Sequence, residues 1–249
     1  MRSYGATMSS EPVNGTVSQP VNQIQAPYWG AVPWTLRDAG WGIAVVAVVL
    51  VLSFAIAQAV DMSGNPLLVI ALVGGGLEAV LLVVVWRLGP WRYGHSWGSL
   101  GLVQTFNGSA SLALAVFLAS VGFSILYTYV VWLLGLDAMS PTQLPAELLD
   151  TFTQRIVLFG LIVALAPFAE EVFFRGFLLP AFSARWGFLW GAVGVSALFG
   201  IVHGAGSLIP AFVSGMLLAW LYRRTRSLWN CWLAHSVQNA LVFTMAVSI

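Results

Sequence analysis

Six polar residues stand out in an apolar chain. Glu170, Glu171 and Arg175 fall inside the run Ile156–Phe182, His203 lies near the end of the run Trp186–Ala205, and His235 and Asn239 sit four apart in the run Leu228–Val247. An ionised side chain at the centre of a spanning helix costs roughly 2.5–3.5 kcal/mol on insertion scales, so intramembrane charges as a rule face a cavity and carry function. On a helix Glu171 and Arg175 share a face and can pair, which offsets part of that cost. Glu170 points about 100° away and escapes the pairing, so one carboxylate is held ionised and its neighbour is free to exchange protons with a water. Such divergence is how acid and base roles are assigned. His235 and Asn239 place an imidazole and a carboxamide on one helical face, two donors able to stabilise the oxyanion of a tetrahedral intermediate. Each feature also has a plainer account: a structural ion pair beside a spectator Glu170, a hydrogen-bonded core histidine at 203, and interhelical hydrogen bonds from the last pair. Together they supply a base, an orienting charge, a second base or ligand, and an oxyanion site.

The elements that must position these residues are membrane helices. Of 249 residues, 59% are hydrophobic and only 8% charged, against roughly 25% charged in a soluble domain. Apolar runs of about 20 residues, enough to cross a hydrocarbon core, recur near Trp41–Val60, Pro66–Trp86, Ser109–Leu134, Ile156–Phe182, Trp186–Ala205, Leu208–Tyr222 and Leu228–Val247. With no water in the core each must be a helix. The expected fold is therefore an all-α polytopic transmembrane bundle of about seven spans, residues 39–249, preceded by a disordered tail and interfacial anchor, residues 1–38, in which Tyr28, Trp29 and Trp34 approach the headgroups. Every cationic residue is an arginine. With the N-terminus inside, Arg2, Arg37, Arg87, Arg92, Arg185, Arg223, Arg224 and Arg226 all fall on the cytoplasmic side, and Arg155 alone lies near an outer edge. This predicts a multi-pass protein of the cell membrane. No basic face exists to hold a nucleic acid, and the single Cys231 excludes an intrachain disulfide and points to packing. Small residues at 191, 194, 196 and 200 predict close helix approach.

The three polar motifs resemble those of the type II CAAX prenyl endopeptidases and their bacterial relatives, the CPBP group of bacteriocin-processing and immunity-type intramembrane proteases. Two glutamates precede an arginine (Glu170-Glu171 through Arg175, within Phe174-Arg175-Gly176), a phenylalanine stands four before a histidine (Phe199, His203), and a histidine four before an asparagine (His235, Asn239). The resemblance covers about Trp97 to the C-terminus, starting with the weak Trp97…Leu100-Gly101-Leu102 element. It implies that Glu170 activates a water with His203, that His235 and Asn239 hold the oxyanion, and that Glu171 and Arg175 position the base. Membrane-associated or lipidated peptides would be the substrates. No covalent acyl-enzyme is implied, in keeping with the lack of a serine or cysteine nucleophile in the motifs.

Two histidines with a carboxylate are also a zinc-site composition, but the His-Glu-x-x-His helix is missing, so a metal-free, cofactor-free mechanism is expected. One difficulty is depth: His203 falls toward the outer end of its run and Glu170 toward the middle. Glu78, alone in the second run, suggests a substrate entrance or a structural role with a polar partner on another span. Two rival readings differ in class. A non-catalytic membrane scaffold that binds a peptide, as an immunity factor would, needs the polar cluster without cleavage; a proton-coupled transporter would use Glu78, Glu170 and Glu171 as a relay. The lack of repeated halves counts against the transporter.

Overall fold

The computed structural model describes residues 32–59, 66–103, 109–140, 145 and 148–248. Most of the expected tail, with Arg2, Tyr28 and Trp29, lies outside them. Among the described residues every regular element is helical: α1 (Leu36–Ala59), α2 (Pro66–Leu88), α3 (Ala110–Leu133), α4 (Phe152–Val202), α5 (Leu208–Thr225) and α6 (Leu228–Ser248). The first four are long and apolar enough to cross a membrane. Their outward faces carry bare apolar side chains such as Phe54, Leu118 and Trp132, 68%, 58% and 73% exposed. So much apolar surface suits lipid rather than water, and the chain is an integral membrane protein.

α4 has 51 residues, roughly 75 Å if straight and far more than one crossing needs. It folds back at Gly187, where φ is 77° and ψ 163°, a conformation that glycine adopts without steric penalty. A Cβ on Gly191 would lie 2.8 Å from the Ser183 backbone nitrogen, and one on Gly194 3.3 Å from the Phe182 ring. The small residues are thus where the arms touch. Ser196 and Gly200 serve the next contact, since a Cβ on Gly215 of α5 would meet Ser196 at 2.9 Å and one on Gly200 the Leu208 carbonyl at 2.7 Å. The runs Ile156–Phe182 and Trp186–Ala205 are therefore two antiparallel arms of one helical hairpin.

One end of the bundle collects the arginines. Arg92 approaches Asp38 at 3.7 Å and Arg223 stacks over Phe188, just past the hairpin turn, at 4.3 Å. Asp38 also closes a capping box with Thr35 at the start of α1 and accepts from the Tyr93 hydroxyl at 2.7 Å. Trp34 departs from the expected headgroup anchor: it is 2% exposed and its indole donates to the Phe177 carbonyl at 2.9 Å. An indole N–H that finds a buried acceptor is free to enter the core. The segment Trp97–Val103 plugs the same end. Leu100 is fully buried, the Tyr222 hydroxyl donates to its carbonyl, and the Leu228 amide donates to Gly101. Cys231 is buried against the Leu218 carbonyl, a packing role.

Candidate active site

The first arm of α4 carries two π-helical stretches, Gly160–Leu165 and Glu171–Leu178. π turns move the backbone bonds from four to five residues back and recur at functional sites. The Ala166 amide reaches Leu161, five back. The next residue in that register is Pro167, which has no N–H to give to Ile162. Asn239 of α6 fills the vacancy, its Nδ2 donating to the Ile162 oxygen at 3.0 Å. Two turns nearer the start of α6, the Trp232 indole donates to Ala164 at 3.0 Å. A carbonyl left unpaired away from water costs about 1–3 kcal/mol, so these donors help sustain the widened turns. The sequence held a signal for this contact, a proline five residues after Ile162. Without the π register it had no meaning.

Glu171 is the hub of the polar cluster. It is 1% exposed, and its Oε1 accepts from Arg175 Nη1 at 3.0 Å and from His235 Nδ1 at 2.9 Å. The expected pair with Arg175 is present; the link to His235 is new, and it fixes which way the imidazole faces. With Nδ1–H given to a carboxylate, Nε2 turns to Glu170, 3.7 Å from its Oε2. That separation is too long for a direct hydrogen bond. Glu170 is 19% exposed, the more open of the two carboxylates. The Arg175 guanidinium is also stacked over the Phe199 ring at 4.4 Å, a geometry that suits a desolvated cation.

Phe199 joins the two arms to α6. Its ring lies 5.1 Å from Phe174, 5.8 Å from His235 and 4.4 Å from His203. His203 is exposed at the end of the second arm, its Nδ1 2.7 Å from the Phe199 carbonyl. A carbonyl only accepts, so Nδ1 carries the proton and Nε2 keeps its lone pair. The depth difficulty resolves through the hairpin. Glu170 lies seventeen residues before Gly187 and His203 sixteen after it, so antiparallel arms bring them level. Counting each run from its own ends had placed them apart.

Glu170, Glu171, Arg175 and His235 thus form one contact network, with His203 attached through Phe199. Asn239 is held one turn along α6 from His235, with one N–H spent on Ile162. Among the described residues no three His, Cys, Asp or Glu side chains are grouped to hold a metal ion. Beside the cluster, Gly160, Ala164, Leu165, Phe168, Trp229 and Trp232 line an open apolar groove of about 270 Å³.

Residues 152–241 match the family model of the Type II CAAX prenyl endopeptidase Rce1-like proteins. The matched segment starts with α4 and includes all six of these residues, which bears out the resemblance carried by the three motifs. No curated protein and no solved structure matches the chain.

Proposed function

We propose that the protein is a membrane-embedded endopeptidase that hydrolyses peptide bonds of membrane-associated or lipidated peptides with a glutamate-activated water. The observation that carries this reading is the asymmetry of the two carboxylates: Glu171 is spent on Arg175 and His235, and Glu170 is left open beside them. The Glu170 carboxylate takes a proton from water, assisted by the free Nε2 of His203, and the oxygen attacks the peptide carbonyl carbon. His235 in its imidazolium form presents Nε2–H to the resulting oxyanion, and the second N–H of Asn239 joins it. Collapse breaks the C–N bond, and the proton held by Glu170 passes to the leaving amine.

The network through Glu171 and Arg175 positions the site. In this reading it needs no metal, since Glu170 with His203 activates the water and His235 with Asn239 takes up the oxyanion charge. Seven spans with the N-terminus inside belong to the same reading, and the hairpin in α4 and the arginines at one end of the bundle support it.

The decisive assay is cleavage of membrane peptides, prenylated and plain, by the purified full-length protein. Glu170→Gln is expected to abolish cleavage with the fold kept, and activity is expected to survive a chelator. Full activity of Glu170→Gln would refute the assignment. Retained biological function without cleavage would favour a peptide-binding scaffold, to which the structural hydrogen bond of Asn239 is also suited.

A further inference from the structure

Glu78 projects from α2 and is 5% exposed. Its Oε2 is buried with no hydrogen-bond partner among the described residues. The helix that carries it packs against both Ala166–Glu170 and Glu171–Leu178 of α4. The charged groups around it are all accounted for. On α4 the Arg175 guanidinium is committed to Glu171; on α6 His235 faces Glu170 and Glu171; α1, which also packs on α2, has no titratable residue after Asp38. Glu78 therefore lacks a cation of its own. A lone carboxylate in such surroundings is far costlier than a carboxylic acid that gives its proton to an acceptor, and the segment Ala166–Glu170 packed on this helix ends in one, the Glu170 carboxylate.

We propose that Glu78 is a positioning residue of this site, a carboxylic acid that shares one proton with Glu170 and holds the Glu170 carboxylate in place through an O–H···O hydrogen bond. The inference rests on Glu170 being the working carboxylate, and it adds a third span to the site. One proton between two carboxyls leaves the pair with a single negative charge, the arrangement that close carboxylates adopt. The proton Glu170 takes from water then enters a pair that already handles one.

Infrared spectroscopy on the detergent-solubilised full-length protein tests this without any substrate. A protonated-carboxyl C=O band is expected to persist at neutral pH, to vanish in Glu78→Gln and to shift in frequency in Glu170→Gln. No such band in the unaltered protein, or a band that survives in Glu78→Gln, overturns the proposal. A peptidase that cleaves nothing would refute the proposed activity and leave this spectroscopic result standing. With an active protein, Glu78→Ala should lower kcat about tenfold or more, as loss of a hydrogen bond to a charged group does. It should also move the acid limb of the pH profile upward, because a carboxylate without its donor is protonated more easily. Glu78→Gln, whose amide can donate, should restore most of the rate. An unchanged kcat and acid limb in Glu78→Ala overturns the proposal.

Discussion

Replacing Arg175 by methionine tests the polar network most directly. The side chain is 1% exposed, its guanidinium 3.0 Å from a Glu171 that is equally buried, and it is stacked on Phe199 at 4.4 Å. Methionine fills much of the volume but leaves the Glu171 charge with His235 alone. Removing one partner of a buried pair costs about 3–5 kcal/mol, because the remaining charge is left uncompensated. For a chain of this size that corresponds to a fall in Tm of roughly 6–20 °C. The double variant Arg175→Met with Glu171→Gln removes both charges and should recover much of the loss, giving a coupling energy of about 2 kcal/mol or more in a double-mutant cycle. Thermal denaturation in detergent reads both. Stability and activity diverge in the double variant: it should fold, yet cleave poorly, because Glu171 no longer orients His235. A single variant that loses less than about 1 kcal/mol, the scale of an exposed pair, would refute the reasoning. So would a double variant no more stable than Arg175→Met.

Three further perturbations address other joints. Gly101 has φ of 90°, and a Cβ there would meet the Tyr222 hydroxyl at 2.6 Å, so Gly101→Ala should cost about 2–4 kcal/mol by combining left-handed strain with a collision, seen as a lowered Tm. Asn239→Ala withdraws the donor from the Ile162 carbonyl and should cost about 1–3 kcal/mol of stability, together with a loss in kcat; a variant that keeps its Tm would show that the π turn holds without it. The hydrogen bond that Tyr93 donates to Asp38 pushes its phenol above the ordinary value. That bond adds stability below the ordinary tyrosine range and loses it as pH rises through the raised value. In Asp38→Asn the alkaline absorbance titration should therefore begin at lower pH.

Much of the site was legible because its residue types are costly in lipid. Glu170, Glu171, Arg175, His203, His235 and Asn239 stand out in an apolar chain whatever its fold, and the four-residue spacing of Glu171 and Arg175 by itself dictates a pair on any helix. Run lengths likewise determined an all-helical membrane bundle, since lipid permits little else without a closed barrel. Three things waited for the tertiary structure. The turn at Gly187 set the arms in antiparallel register, and only that register makes Glu170 and His203 level. The π segments re-addressed the backbone bonds, which left the Ile162 carbonyl for Asn239. Finally, Glu171 proved to bond His235 as well as Arg175. Spacing along one helix reports what shares a face; which side chain from another helix comes to that face is decided by how the helices pack.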